Sequence, residues 1–458
     1  MKWGICLLFV LCMVVGLYGC VGSRPYQIAA LGARPTKEGG RLDFRVSEPA
    51  VSKVCSSPGA CVMFVEFDDY GNLMNRAQMQ SAVNVAKKMA SNNGTVLVYV
   101  HGWHNDAKNG TRDVEEFKNL VQRLSEIDKE FRPDHPGSGQ FLGIYVGWRG
   151  DSIPSDGVLA PLSYTLTFWD RKNAAHNIGS SGGVYELFSR LSDLRRDYPR
   201  SRLLIHGHSF GGALVYSTLS HTIMDQIRRD GVEDSHQASP VADLILVVNP
   251  AFEAMKLRPQ FDLARSQEYK PSLPPRLVIL TTTADSATRL AFPIGRFFGT
   301  LAASYADDQS SSQNKLAIGH YLPYVTHQLA PSKPGNCTAM QGVPVQSLEA
   351  VQSERQSTLC IHPLVHSDAK PLELRRCDQP GWCADVAENH YIARGAVVEG
   401  FVPYRLPILN IRTTSEVSSG HSDIRNKTLE NFVIQLMALA VRDPNSVPMA
   451  PLPNLPNQ

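Results

Sequence analysis

The sequence predicts an α/β protein: a mostly parallel central sheet flanked by helices, with a Cys-rich insertion. Three observations point there. Between residues 61 and 290, short β-branched runs alternate with longer stretches of helical period, the pattern of stacked βα units. Residues 202–213, RLLIHGHSFGGA, carry an apolar strand straight into a Gly-x-Ser-x-Gly turn and then into a helical stretch. A strand and an amphipathic helix return after residue 400, so the sheet resumes beyond the interruption. The composition supplies the core, with 43% hydrophobic residues in a chain of 458. Lys+Arg number 45 against 43 Asp+Glu, a formal net charge of +2 without a local basic patch, so nucleic acid is not an expected partner.

Taken in order, the amino terminus comes first. After Lys2, residues 3–21 carry no charge, and the run closes on Gly19-Cys20 before the polar Ser23-Arg24. That is a membrane-targeting segment, and residues 1–20 resemble a bacterial lipoprotein signal with Cys20 as the lipid attachment point. An uncleaved apolar anchor and a conventional cleaved signal remain alternatives. Each of them exports the body, and the lipoprotein resemblance implies a place in the bacterial cell envelope, facing the periplasm or on the outer membrane. Residues 21–60 read as a linker-like tether and N-terminal extension.

Export changes the reading of the cysteines. Beyond Cys6, Cys12 and Cys20 stand Cys55, Cys61, Cys337, Cys360, Cys377 and Cys383. An even set in an oxidising compartment favours disulfides, and the gaps between the last four are wider than those of a zinc knuckle. Proximity makes Cys55 with Cys61, and then Cys377 with Cys383, the first pairings to consider. Other pairings stay open.

The core is expected over residues 61–330 and 401–441. Strands are expected at 62–67, 95–100, 141–146, 202–205, 241–248, 276–280 and 406–411. Val114, Phe117, Leu120, Val121, Leu124 and Ile127 form one apolar helix face, and Leu429, Phe432, Val433, Leu436 and Leu439 another. Residues 331–400 hold four of the exported cysteines and read as a disulfide-stapled insertion, either a lid or a surface decoration. The Pro-rich tail, 442–458, is expected to be disordered.

The chemistry centres on Gly207-His208-Ser209-Phe210-Gly211. A sharp strand-to-helix turn projects the serine hydroxyl from the sheet and leaves no room for β-carbons at the flanking glycines. A second window, His101-Gly102-Trp103-His104-Asn105, follows the strand at 95–100. In these two windows the chain resembles the α/β-hydrolase superfamily of serine esterases and lipases. The resemblance covers roughly residues 60–330 and 400–441.

It implies Ser209 as nucleophile, with the backbone N–H groups of Trp103 and Phe210 as oxyanion donors. The acid and the base should follow in that order, each after a later strand. Asp285 and His421 occupy such positions. Glu253 is an alternative acid, with Glu416 less favoured, and His320 and His327 are alternative bases. His101 would stabilise its loop, Trp103 would wall the pocket, and His104 and His208 would lie in the pocket or support it, as would Glu253 if it is not the acid. A metal held by His101, His104, His206 and His208 is the weaker reading, since no carboxylate stands at helical spacing to complete the set. No cofactor is expected. The resemblance thus implies hydrolysis of a carboxylic ester, in a small molecule or a lipid, by a protein attached to a membrane through its amino terminus. The competing reading is an envelope-anchored, non-catalytic binding or assembly protein on the same scaffold.

Overall fold

The computed structural model describes residues 25–27, 37–38, 41–42, 54–57, 59–131, 136–151, 160–231, 240–269, 275–300, 303–331, 358–361, 372–376 and 406–441. In chain order the elements begin with a small pair, β1 (Lys37–Glu38) and β2 (Arg41–Leu42), apart from the main sheet. There follow β3 (Val54–Ser57), β4 (Ala60–Glu66), α1 (Arg76–Ser91), β5 (Thr95–Val100), α2 (Arg112–Phe131), β6 (Phe141–Gly147), α3 (Ala160–Ser180) and α4 (Gly182–Asp197). Next come β7 (Arg202–His208), α5 (Phe210–Asp230), β8 (Leu244–Val248), α6 (Ala254–Ser266), β9 (Leu277–Thr282), α7 (Phe292–Gly299) and α8 (Asp308–Lys315). The chain closes with β10 (His327–Pro331), β11 (Thr358–Ile361), β12 (Leu372–Arg376), β13 (Ile408–Thr413) and α9 (Lys427–Val441).

Among the described residues the main sheet has 11 strands, in the order β11-β12-β10-β13-β9-β8-β7-β5-β6-β4-β3. Three strands at its two ends, β3 on one side and β12 and β11 on the other, pair antiparallel, and the remaining eight are parallel. Parallel strands are covered by helices on both faces, which is why their sequences read as unbroken apolar runs: every residue of β4, β5, β6, β8 and β9 is buried. Alternation still sorts the side chains. Val96, Val98 and Val100 join the core beneath α1, α4 and α5, while Leu97 and Tyr99 join the one beneath α2 and α9. The face read from Val114, Phe117, Leu120, Val121, Leu124 and Ile127 is buried along its whole length, with Phe117 stacked on Tyr99 at 5.3 Å. Burial of a side chain such as Phe117 contributes about 2 kcal/mol.

Two departures from the sequence reading affect the site. The strand expected at 202–205 continues to His208, because His206, Gly207 and His208 pair in register with Leu246, Val247 and Val248. Histidine and glycine give no strand signal, so neighbours supply it. Second, β10 was not anticipated. It lies parallel to β13, pairing His327 with Ile411, and β12 and β11 extend the sheet beyond it. Of the segment 331–400, then, the described strands pair at the sheet's edge. Cys360 lies in β11, whereas Cys337, Cys377 and Cys383 fall outside the described residues. Cys55 and Cys61 are directly opposite one another in the β3–β4 pair.

At the other end of the chain, the linker-like composition gave no sign of a contact that the structure contains. Buried Glu66, the last residue of β4, accepts hydrogen bonds from the backbone N–H groups of Tyr26 (2.8 Å) and Gln27 (3.0 Å) and from the Gln78 amide (3.0 Å). The Gln27 amide in turn donates to the Ala107 carbonyl. Among the described residues no helix is long and apolar enough to cross a membrane. The segment 1–24, with Cys20, and the tail 442–458 lie outside them.

Candidate active site

The parallel strands deliver their carboxyl ends to one edge of the sheet, and the candidate residues gather there. Ser209 follows β7 with φ 55° and ψ −120°, a backbone conformation that costs a non-glycine residue energy and persists only where the surroundings enforce it. They do so here. The Ser209 N–H donates to the Val248 carbonyl (3.0 Å), and the Ser209 carbonyl accepts from Ala213 N–H and Ala251 N–H (3.1 Å each). The flanking glycines are required by close approach. A β-carbon on Gly211 would stand 2.1 Å from the Val100 carbonyl oxygen, and one on Gly207 would stand 2.8 Å from that of Gly211.

Three side chains from distant parts of the chain meet at this turn. The Ser209 hydroxyl donates to His421 Nε2 at 2.6 Å, and His421 Nδ1–H donates to Asp285 Oδ2 at 2.8 Å. Asp285 is fully buried; the His421 side chain keeps 19% exposure, so the chain of hydrogen bonds opens to solvent at its histidine. Burial pushes the Asp285 carboxyl up, but His421 and hydrogen bonds from His421 and Thr288 outweigh it and hold the group down at about 2. Asp285 is therefore a carboxylate at neutral pH. Thr288 donates its N–H (3.0 Å) and its hydroxyl to Asp285, and its hydroxyl accepts from His320 Nε2–H at 2.9 Å. His320 thus stands behind the carboxylate, not at the serine.

The loop bearing His421 is held at its carbonyl. His208 Nε2–H donates to that oxygen at 3.0 Å and the Asn249 amide donates to it at 2.9 Å. Asn249, itself at φ 45° after β8, uses its Oδ1 to accept from Thr282 N–H (3.0 Å), while the Thr282 hydroxyl donates to the Ser418 carbonyl at 2.6 Å. Asn249, Thr282 and Thr288 were not singled out from the sequence. The only available signal was that Asn249 closes a strand beside the serine turn. Asn249→Ala should let the His421 loop drift, so that amide exchange over residues 418–423 rises several-fold while the strands of the sheet stay protected; hydrogen–deuterium exchange checks this.

The second window lies beside the serine. A β-carbon on Gly102 would approach Ser209 Cβ and His208 Nδ1 to 2.9 Å, so the Gly102–Trp103 peptide runs alongside the turn. Phe210 opens α5, whose first-turn N–H groups have no acceptor within the helix. Trp103, Phe168 and Phe210 form an aromatic wall, with ring centroids 5.4 Å apart for Trp103–Phe168 and 5.1 Å for Phe168–Phe210. His101 is buried and neutral, its pKa lowered by burial. Its Nδ1–H donates to the Gly102 carbonyl (2.9 Å) and its Nε2 accepts from Trp148 N–H (3.1 Å), which locks the loop. His104 stacks on Trp103 at 4.0 Å and bonds Asp151 at 2.5 Å.

Glu253 is committed elsewhere. It pairs with Lys172 Nζ at 2.7 Å and Arg296 at 3.1 Å, in a buried cluster with His176 and Lys256. Burial raises its pKa, but Lys172 and Lys256 prevail and hold it at about 2. Among the described residues no group of histidine, cysteine and carboxylate side chains is arranged to hold a metal ion.

Buried histidines make the fold sensitive to acid. Burial holds His208 and His320 down at about 4 and His176 at about 3. Unfolded, each takes up a proton near pH 6.5, so the unfolded state binds more protons below that value and stability falls as pH falls. Tm should drop steeply between pH 6.5 and 4, each pH unit costing about 1.4 kcal/mol per site. Calorimetry across that range would reveal it, and a flat Tm would contradict it.

No protein-family model matches the chain, and no curated protein does. Among solved structures it is similar to phospholipase PlaB from Legionella pneumophila in complex with thio-NAD, at 12% identity and a TM-score of 0.22. The match covers 53% of this chain and 47% of that one, so it spans about half the length of each.

Proposed function

We propose that this protein is a serine hydrolase that cleaves a carboxylic ester through an acyl-enzyme. One observation carries the reading: the unbroken hydrogen-bond chain from Ser209 through His421 to a buried, ionised Asp285, on a strained turn at the carboxyl edge of the sheet. In the proposed reaction, Ser209 Oγ attacks the ester carbonyl carbon as His421 Nε2 removes its proton. Asp285 keeps the imidazole in the required tautomer and stabilises the imidazolium. The Phe210 and Trp103 N–H groups receive the oxyanion. Collapse breaks the C–O bond, and the proton on Nε2 passes to the departing alcohol. Water, activated by His421, then attacks the acyl-Ser209 carbonyl and regenerates the hydroxyl.

The reading extends to location. Residues 1–20 would export the protein and Cys20 or the apolar run would attach it to a membrane; the Cys55–Cys61 register supports a cross-link in an oxidising compartment. The substrate would be an ester-containing small molecule or lipid. Turnover of nitrophenyl esters of increasing chain length tests the reaction: activity should depend on chain length and vanish in Ser209→Ala. A folded wild type with no turnover at any length would favour the non-catalytic scaffold instead.

A further inference from the structure

We propose that the carboxyl edge of the sheet, which carries Ser209, is a membrane-facing surface, and that the protein draws its substrate from the bilayer to which its own amino terminus is attached. This rests on the reading above that the segment 3–21 enters a membrane.

The first argument is where the chain meets the core. Tyr26 and Gln27 are bonded to Glu66, the carboxyl-terminal residue of β4. Cys20 precedes Pro25 by five residue steps, which span about 18 Å at full extension. A protein attached at or before Cys20 cannot stand off on a long tether; it is held at its docking point. That point lies on the active-site edge. Glu66 pairs with Gly147, level with the strand ends that lead to Gly102 and Ser209. In the order β4-β6-β5-β7, three strand spacings of about 4.8 Å put it about 14 Å from the serine strand.

The second argument is the distribution of exposed apolar side chains. Leu290, Ile294 and Phe297 follow Asp285 at helical spacing and remain 43%, 60% and 53% exposed. Tyr70, 73% exposed, lies in the loop that leaves β4, shortly after Glu66. Met255 and Tyr185 lie in the first turns of α6 and α4, helices that start at this same edge. With Tyr26, these are the large apolar side chains left exposed among the described residues, and apart from Tyr26 each lies in a segment that follows the carboxyl end of a parallel strand. Aromatic side chains around the attachment and an aliphatic–aromatic ridge beyond the serine fit a lipid surface, where an apolar body is buried and a polar tip stays wet.

The test uses the full chain in vesicles of phosphatidylethanolamine and phosphatidylglycerol, wild type against an Ile294→Asp, Phe297→Asp double variant. The variant should lose about ten-fold or more in hydrolysis of vesicle phospholipid while a short, water-soluble ester is turned over within about two-fold of wild type. Equal activity on both substrates overturns the proposal. Equal loss on both overturns it too, since the ridge would then act on the site and not on the membrane. Fluorophosphonate labelling reports the hydrolase reading separately. If wild type does not label, deuterium uptake on the vesicles still decides the orientation: protection of residues 287–299 over residues 136–140 at the opposite edge supports it, and equal uptake overturns it.

Discussion

Asp285→Asn should lower turnover by about 10⁴-fold while the protein stays folded. The wild-type carboxylate accepts three hydrogen bonds, from His421 Nδ1–H, Thr288 N–H and the Thr288 hydroxyl. An amide of the same shape keeps the packing but can turn its NH₂ toward the ring. His421 would then accept at Nδ1 and carry its proton on Nε2, facing Ser209 with a donor where an acceptor is needed. It also loses the negative charge that stabilises the imidazolium. Stopped-flow or steady-state kinetics on an activated ester, with Tm as the control for folding, checks both halves. A near-wild-type Asp285→Asn would remove Asp285 from the reaction.

Glu253→Gln should do the reverse: cost about 3 kcal/mol of stability, with the folded fraction turning over close to the wild-type rate. Lys172 is 5% exposed and Glu253 4%, and the lysine finds its counter-charge in that carboxylate at 2.7 Å. Removing one member leaves a buried cation unpaired beside Arg296, which costs far more than the pair itself contributes. Chemical denaturation measures the loss. A compensating Lys172→Met change should restore much of it. The two carboxylates therefore separate cleanly, one by rate and one by stability.

Much of this was legible in the sequence because the signals were local. The serine turn declares itself through Gly207 and Gly211, whose absent β-carbons are demanded by backbone 2 to 3 Å away. Asp285 and His421 could be selected because each closely follows an apolar run that becomes a strand, β9 or β13. What holds them was not legible. Asn249 bonds a carbonyl 172 residues away, and Thr282 one that is 136 away; nothing near either residue marks it. The same holds for β10, whose HQLAP sequence has no alternation and becomes a strand by lying between β12 and β13. The docking of Tyr26 and Gln27 was hidden for a related reason, since its partner Glu66 is a charged residue at the end of an apolar strand and draws its hydrogen bonds from elsewhere in the chain.

The most direct test of the central claim is covalent. Incubated with a fluorophosphonate, the wild-type protein should acquire one phosphonyl group, mapped by peptide mass spectrometry to Ser209, at a rate that collapses in His421→Ala and Asp285→Asn and with no labelling in Ser209→Ala. A folded wild-type protein that acquires no label, or acquires it on another residue, would contradict the account.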